Sequence, residues 1–239
     1  ARGQFVFDEK DSMLFALAPF PYFSGAAAMA MGREFNFTFL PPMEEAVKME
    51  FQERIREGFS LALKTGMDTF QGIASVLAKV SDQFVEGQGG IRPSLRLLHP
   101  MVVARLLRGL VKARLAGRKH FLPKDFWNVK SIVTGGTDTA LFKDKIKECW
   151  GRRPGEFYAC TEGGVLATQM WNGRGLTFYP DVNFLEFIPE DEHLKSREDP
   201  THRPRTLLLD EVEAGKRYEI VLTNFYGGAM VRYRIGDII

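Results

Sequence analysis

Residues 130–136, Lys-Ser-Ile-Val-Thr-Gly-Gly, and residues 156–161, Glu-Phe-Tyr-Ala-Cys-Thr, decide the fold. Each run is apolar in its middle and has the length of a buried strand. Residues 139–149 between them carry apolar side chains at helical spacing. A strand, a helix and a strand with connections this short predict a parallel pair with a right-handed crossover. The sequence therefore predicts an α/β fold here.

The chain before this unit also alternates between strand and helix patterns. Residues 13–18 are a short apolar run that predicts a buried strand, and residues 35–40 alternate apolar and polar residues like a half-buried strand. Residues 43–63 and 68–84 repeat apolar residues at helical spacing and predict two amphipathic helices. Parallel or mixed sheets flanked by helices are therefore expected.

The chain after Gly164 has a different character, because strand patterns follow one another without long helical runs. Strands are predicted at 165–171, 176–179, 183–188 and 230–234, and a hairpin is predicted from 206–209 and 218–223. Residues 189–204 are crowded with charges and prolines and predict a solvated loop. We therefore expect a subdomain over 1–180 with the α/β pattern and a β-rich subdomain over 181–239.

Composition excludes several classes of protein. The 239 residues are 45% hydrophobic and 12% aromatic, so a disordered chain is excluded. A formal net charge of +2 is too small for a basic field that covers a nucleic-acid-binding domain. The longest apolar run, 14–31, is broken by prolines and glycine and predicts no membrane span. Cys149 and Cys160 have no metal-like spacing, which indicates a reducing cytoplasm.

Residues 94–120 predict one or two basic helices with an apolar side formed by Leu106, Leu107, Leu110, Val111 and Leu115. The first interpretation is a solvated helix face packed on a core. The alternative is a face that binds phosphate or a protein partner. No aromatic residues interleave the charges, which disfavours RNA binding.

Polar groups follow predicted strands at three places. Gly135-Gly136-Thr137 opens a helix, where backbone N–H groups favour negative charge. Residues 158–162 offer the flat ring of Tyr158, the hydroxyl of Thr161 and the carboxylate of Glu162, a hard oxygen ligand suited to Mg²⁺. Asp237 follows Gly236 and offers an acceptor for ribose hydroxyls. Taken together, the three stretches predict a nucleotide site at a sheet edge.

Three motifs in this order resemble the acyl-adenylate-forming superfamily of acyl-CoA synthetases, peptide-synthetase adenylation domains and luciferases. They are the strand with Gly135-Gly136-Thr137, the run Tyr-Ala-Cys-Thr-Glu-Gly at 158–163, and Tyr-Arg-Ile-Gly-Asp at 233–237. Residues 126–136 and 179–189 narrow the resemblance to the branch of plant auxin– and jasmonate–amino acid synthetases and their bacterial relatives.

The resemblance implies a role for each motif residue. Gly135, Gly136 and Thr137 would line the adenine and acyl–phosphate pocket, and Tyr158 would stack on adenine. Thr161 would bond the α-phosphate, Glu162 would hold Mg²⁺, and Asp237 would take the ribose hydroxyls. Two departures from the family pattern stand out: Ala159-Cys160 replaces the usual Gly and small residue, and Ile235 replaces a common Thr.

The implied activity is an ATP-dependent ligase. It activates a carboxylic acid as acyl-AMP and passes the acyl group to an amine, such as an amino acid, or to coenzyme A. The family's phosphate loop and its small C-terminal lid domain, each with a lysine, have no counterpart in the 239 residues. We therefore expect this piece alone to be inactive.

Two other functions stay open from the sequence. The chain could belong to a catalytically inactive nucleotide-binding relative, or be a protein-interaction module that uses the basic 96–120 face. Cys160 beside Thr161 suggests a nucleophile, but no histidine lies near it in the sequence, which favours a small buried filler. The four histidines show no metal-ligand spacing.

Overall fold

The computed structural model describes residues 6–86, 99–226 and 228–239. The chain forms two compact units, of which the first contains Ala1–Tyr158 and Thr168–Thr177. The second contains Ala159–Ala167 and Phe178–Ile239. Residues 87–90, whose Gly-Gln-Gly-Gly sequence predicts a turn, and the start of the basic stretch, 94–98, lie outside the described residues.

A seven-stranded sheet has the order β2-β1-β3-β4-β5-β6-β7. Its strands are β1 (Ser12–Ala16), β2 (Thr38–Leu40), β3 (Thr69–Gly72), β4 (Ser131–Gly135), β5 (Gly155–Cys160), β6 (Gly164–Thr168) and β7 (Thr177–Phe178). The pairs from β2 to β5 are all parallel. The predicted α/β class and the parallel pairing of β4 with β5 are therefore confirmed.

The helices of the first unit connect and flank these strands. They are α1 (Phe23–Phe35), α2 (Met43–Ala46), α3 (Phe51–Thr65), α4 (Ala74–Val85), α5 (Pro100–Leu115), α6 (Pro123–Phe126) and α7 (Thr139–Trp150). The helix predicted over 43–63 is thus two helices, α2 and α3, separated by a short turn. Gly151 ends α7 with a φ of 76°, a left-handed conformation that glycine adopts without strain.

The core of the first unit is rich in aromatic side chains. Trp127 and Trp150 stack with ring centroids 5.7 Å apart, and both are buried. Trp150 Nε1 donates to Ser81 Oγ at 3.0 Å, and Trp127 Nε1 donates to the carbonyl of Ala62 at 2.9 Å. Each buried indole N–H therefore has a partner, which removes the cost of burying it.

The helix predicted over 68–84 is wrong in its first part. Thr69–Gly72 is the central strand β3, which pairs with β1 and β4, and the helix begins only at Ala74. Phe70 is fully buried, and a Cβ on Gly72 would lie 2.6 Å from Ala16 Cβ. The partners of β3 are distant in the sequence, so its four residues carry no local signal that separates them from the helix that follows.

The second unit contains a three-stranded antiparallel sheet with the order β10-β9-β8. Its elements are β8 (Phe184–Pro189), α8 (Glu190–Glu198), β9 (Tyr218–Asn224) and β10 (Met230–Ile238). Phe187, Ile220 and Leu222 are buried and form the apolar side of this sheet. The predicted β-rich character of the C-terminal portion is therefore confirmed.

Two predictions in this unit are wrong. The loop predicted at 189–204 contains α8, which has acidic residues in its first turn and basic residues in its last, as the helix dipole favours. The hairpin between 206–209 and 218–223 does not form, because Leu207 pairs with Phe187 of β8 instead. The partners of β9 are β8 and β10.

Candidate functional site

The first predicted site stretch is an open turn at the end of β4. Gly135 is the last residue of the strand, and a Cβ there would lie 2.9 Å from Phe157 Cζ. Gly136 is exposed with a φ of +108°, where only glycine is unstrained, and Thr137 is exposed beside it. This turn presents its backbone to solvent, as the approach of a ligand requires.

Hydrogen bonds to neighbouring elements fix the start of α7 after this turn. Asp138 is the N-cap residue but does not cap the helix with its side chain; its Oδ2 accepts from the backbone N–H of Ser75 at 3.1 Å instead. The buried Thr139 Oγ1 donates to Thr134 Oγ1 at 3.0 Å and ties the helix to β4. The first N–H groups of α7 therefore receive no capping bond from Asp138 and stay directed at the turn.

The second predicted site stretch begins on β5. Tyr158 is a half-buried residue of that strand and is the last residue of this segment of the first unit. Thr161, Glu162 and Gly163 form the turn between β5 and β6 and lie in the second unit. Thr161 is exposed and Glu162 half-buried, so both side chains are accessible.

The turn at 161–163 is tightly packed, unlike the first. A Cβ on Gly163 would lie 2.8 Å from Leu166 Cδ2 and 2.9 Å from Leu222 Cδ2, so any side chain there would force the two leucines to shift. Cys160 Sγ accepts from the backbone N–H of Gly163 at 3.1 Å. The departure from the family pattern at Cys160 thus has a structural use, because the sulfur closes the turn.

The chemistry of Cys160 agrees with that structural use. Burial raises the pKa of the Cys160 thiol, and the negative charges of Glu162 and Asp237 raise it further, against hydrogen bonds from the backbone N–H groups of Gly163 and Glu162. A raised pKa leaves the thiol protonated at neutral pH, and a nucleophilic cysteine needs the thiolate. The environment therefore disfavours Cys160 as a nucleophile.

The third predicted site stretch lies on β10, within the same unit as Glu162. Tyr233 Oη is 3.4 Å from Glu162 Oε1, and Asp237 follows Tyr233 on the same strand. The pairing of β10 with β9 shifts register between Arg234 and Ile238, and Gly236 has a φ of +88°. Such an irregularity re-aims the side chain that follows it, here Asp237.

The second unit therefore brings Glu162 and Tyr233 together and carries Asp237 on the same strand as Tyr233. The first unit contains Gly135, Gly136, Thr137 and Tyr158. Sequence reasoning proposed no role for Tyr233. The available signal was its place in the Tyr-Arg-Ile-Gly-Asp run at 233–237.

A buried charge cluster supports β10 from the opposite strand. Glu219 of β9 is buried and accepts from Arg234 Nε at 2.9 Å, while His193 Nδ1 lies 2.6 Å from its Oε2. Burial alone would raise the pKa of Glu219, but the hydrogen bonds from Arg234 and His193 outweigh it, so that pKa is lowered. His193 lies in α8 and packs against this cluster rather than in a solvated loop.

Some side chains of the basic stretch at 96–120 make internal contacts where it is described. Arg118 forms a bidentate pair with the buried Asp125 at 2.8 and 2.7 Å, and Arg105 Nη1 donates to the carbonyl of Ala62 at 3.3 Å. The predicted apolar side is correct only at Leu106, which packs against the core. The others are exposed: Leu107, Leu110, Val111 and Leu115. The buried side of α5 is formed by the smaller residues Val102, Gly109 and Ala113.

Clusters of metal-ligating side chains and membrane-spanning helices are both absent from the residues that the structure describes. Among residues 6–86, 99–226 and 228–239, no group of three or more His, Cys, Asp or Glu side chains is placed to hold a metal ion. Glu162 therefore belongs to no such group, and Mg²⁺ in nucleotide enzymes is often held by one or two carboxylates together with phosphates. No helix in the same ranges has the length and apolarity needed to cross a membrane.

Comparisons with known proteins agree with this architecture. Residues 176–239 match the family model of the GH3 family central domain. Jasmonoyl–L-amino acid synthetase JAR4 of Nicotiana attenuata is 43% identical over 136 residues, which cover 53% of this chain and 22% of that protein. The resemblance to the auxin and jasmonate synthetase branch of the acyl-adenylate-forming proteins is therefore confirmed.

Two solved structures share the fold over nearly the whole chain. An open conformation of 2-hydroxyisobutyryl-CoA ligase with 2-HIB-AMP and CoA has a TM-score of 0.58 at 16% identity, covering 97% of this chain and 40% of that one. The AtGH3.15 acyl acid amido synthetase with 2,4-DB has a TM-score of 0.57 at 16% identity, covering 97% and 45%. The 239 residues thus span less than half of each of these three proteins.

Proposed function

We propose that this chain is the central part of an ATP-dependent ligase that activates a carboxylic acid as acyl-AMP. The single observation that carries the proposal is the accessible Glu162 carboxylate on the turn after β5, with Tyr233 Oη 3.4 Å away and Asp237 on the same strand as Tyr233. A nucleotide needs an acceptor for its ribose and a hard oxygen ligand for the metal on its phosphates, and these residues supply both kinds of group.

The role of each residue is part of the proposal. Asp237 accepts the ribose hydroxyls, and Thr161 donates its hydroxyl to the α-phosphate. Tyr158 stacks on the adenine. The exposed backbone of Gly135-Gly136-Thr137, at the start of α7, lines the adenine and acyl–phosphate pocket.

Glu162 fits a role as an Mg²⁺ ligand by the chemistry of its donor. Its carboxylate is a hard oxygen donor and stays accessible on a turn whose backbone is fixed. Bound Mg²⁺ would neutralise phosphate charge that builds up as the α-phosphorus is attacked.

The chemical steps follow from the substrates. A carboxylic acid is ionised at neutral pH, so its oxygen attacks the α-phosphorus of ATP without a general base, and the bond to the bridging oxygen breaks to release pyrophosphate. An amine or the thiol of coenzyme A then attacks the acyl carbon, and AMP leaves as the nucleophile gives its proton to solvent. The protein contributes positioning and charge stabilisation.

The similar proteins favour an amino acid or coenzyme A as acceptor, since they include a jasmonoyl–L-amino acid synthetase and a CoA ligase. The free thiols of Cys149 and Cys160 support a reducing compartment, the cytoplasm.

Carboxylate-dependent exchange of pyrophosphate into ATP by the full-length protein tests the proposal. We expect exchange with at least one acid of a panel of aromatic, cyclopentyl and short-chain carboxylic acids, and none without an acid. A full-length protein that binds ATP but gives no exchange with any acid would favour a catalytically inactive relative. The isolated 239-residue piece should give no exchange.

A further inference from the structure

Two buried asparagines hold the turn that carries Thr161 and Glu162. Asn224 is the last residue of β9, and Asn183 directly precedes β8. The antiparallel register pairs Phe184 with Thr223, so Asn183 faces Asn224 at the next position. Both side chains are at most 5% exposed, although they lie at strand ends, where a polar residue can usually reach solvent.

The hydrogen bonds of this pair converge on the turn. Asn224 Nδ2 donates to the carbonyl of Glu162 at 2.9 Å and to Asn183 Oδ1 at 2.8 Å. Asn183 Nδ2 donates to the carbonyl of Gly163 at 2.8 Å. Because a carbonyl only accepts, these contacts fix which end of each amide faces the turn. The pair therefore forms one connected clamp from β8 and β9 to two successive carbonyls.

Packing alone does not account for two amides at these positions. A buried amide without partners costs free energy, and an apolar pair of similar volume would fill the same space. The carbonyls of Glu162 and Gly163 in the turn need donors, and the two Nδ2 groups supply them. Asn224 Oδ1 also accepts from the backbone N–H of Tyr226 at 3.3 Å. The connected polar network therefore specifies one backbone position for the turn.

We propose that Asn183 and Asn224 are positioning residues that set where the Glu162 carboxylate and Thr161 hydroxyl stand, and thereby the Mg²⁺ requirement of adenylation. This inference rests on the proposed function. The clamp fixes the backbone of Glu162 on one side, and Gly163 is held on the other by Leu166, Leu222 and Cys160 Sγ. Side chains that support a metal ligand are worth 10- to 100-fold in activity or metal affinity in other proteins, which sets the expected effect.

Asn224→Asp and Asn183→Asp are the direct tests, because each keeps the shape of the side chain and removes its N–H donors. In the full-length protein, we expect each variant to lower pyrophosphate exchange about 10-fold or more, or to raise by about that factor the Mg²⁺ concentration for half-maximal exchange. The double variant should cost less than the product of the two single effects, because Asn183 and Asn224 act as one network.

Ser81→Ala is the matched control. It deletes the buried hydrogen bond to Trp150 Nε1 in the first unit and should lower Tm without moving the Mg²⁺ midpoint. If both Asp variants keep the wild-type rate and Mg²⁺ midpoint, the positioning role is overturned. If an Asp variant does not fold, Asn224→Ser, which also breaks the reach to Glu162, takes its place with the same expected shift.

Amide hydrogen exchange gives a readout that does not need activity. The backbone N–H of Gly163 should exchange about 10-fold faster in Asn224→Asp than in wild type at equal global stability, and Ser81→Ala should leave it unchanged. If wild type shows no pyrophosphate exchange, the proposed function fails, but this measurement still decides whether the clamp positions the turn. An unchanged Gly163 amide would overturn the clamp itself.

Discussion

The two glycine-containing turns that follow the neighbouring strands β4 and β5 are built in opposite ways. At Gly136 the backbone needs glycine for its φ of +108°, and the nearest group to an added Cβ is Asp138 Oδ1 at 3.5 Å. At Gly163, an added Cβ would lie within 3.2 Å of Leu166, Leu222 and Cys160. The first turn is restricted by its backbone and the second by its surroundings.

Under the proposed function, this difference corresponds to two different tasks of the turns. A backbone that only has to admit a ligand needs little around it, since the ligand fills the space. A turn whose side chains must meet phosphate and metal needs a supporting shell that holds them in place. In the second turn that shell consists of Asn183, Asn224, Cys160 and two leucines, all outside the residues assigned to the nucleotide.

The largest effect is expected at Glu162, the side chain that the second turn presents. Glu162→Gln in the full-length protein should lower pyrophosphate exchange by about 100-fold or more, because an amide holds Mg²⁺ more weakly than a carboxylate and the ion would neutralise charge on the reacting phosphate. Glu156→Gln is the matched control. It removes a carboxylate on β5 that pairs with Lys143 Nζ at 2.7 Å, and the variant should retain activity. Full activity in Glu162→Gln would exclude the Mg²⁺ role.

Acid should weaken the second unit through Glu219. Its folded-state pKa is lowered below 4.5, so the stabilisation is present above pH 4.5 and is lost as pH falls through the folded-state value. Glu219→Gln should cost about 2 kcal/mol at pH 7, because it removes the buried partner of Arg234.

Urea unfolding at pH 7 and at pH 3 measures the Glu219 effect. The variant should differ less from wild type at the lower pH, because protonation of the native carboxylate removes the same stabilisation as the substitution. An equal loss at both pH values would contradict the electrostatic account of this cluster.

Substituting alanine for Gly163 and for Gly136 distinguishes restriction by neighbouring side chains from restriction by backbone conformation. Gly163→Ala should cost about 1–3 kcal/mol by overpacking, and Leu222→Val in the same protein should recover part of that cost by removing the methyl group that the new Cβ meets. Gly136→Ala should cost about 1–2 kcal/mol of backbone strain, and trimming Asp138 to alanine should recover none of it. Additive behaviour at Gly163 and Leu222 would show that the predicted overlap is absent.

The smallest effect is expected at Cys160. Cys160→Ala removes the acceptor for the Gly163 N–H and should cost about 1 kcal/mol of stability. Pyrophosphate exchange and acyl transfer should stay within about threefold of wild type, because a thiol with a raised pKa takes no part as a nucleophile. Loss of acyl transfer alone, with adenylation retained, would mean that Cys160 carries the acyl group.

The sequence predicted the parts of the fold whose signals are local. The strand, helix and strand at 131–160 and the alternation in β8 and β9 could be recognised from spacing. The central strand β3 could not, because its four residues become a strand only by pairing with β1 and β4, which are far away in the sequence. Helix α8 was hidden by its charges, which a helix at the surface tolerates.

The sequence predicted the residues that the candidate site offers to a ligand, but not the residues that hold them in place. Thr161, Glu162 and Asp237 stand next to glycines in short motifs, so residue type and order indicated them. Asn183 and Asn224 are ordinary strand-end asparagines in the sequence, and only the register of β8 with β9 brings them together. Likewise, no feature of the sequence near Cys160 indicated that its sulfur accepts a hydrogen bond from the Gly163 N–H.

The most direct test of acyl-adenylate formation traces one oxygen atom of the carboxylic acid into the nucleotide product. The full-length protein is incubated with a carboxylic acid labelled with ¹⁸O in both carboxylate positions, ATP, Mg²⁺ and the acceptor, and the nucleotide product is analysed by mass spectrometry. Attack of the carboxylate on the α-phosphorus predicts AMP that carries one ¹⁸O atom, formed together with unlabelled pyrophosphate. ADP as product, or AMP without the label, would contradict the assignment of this chain to acyl-adenylate formation.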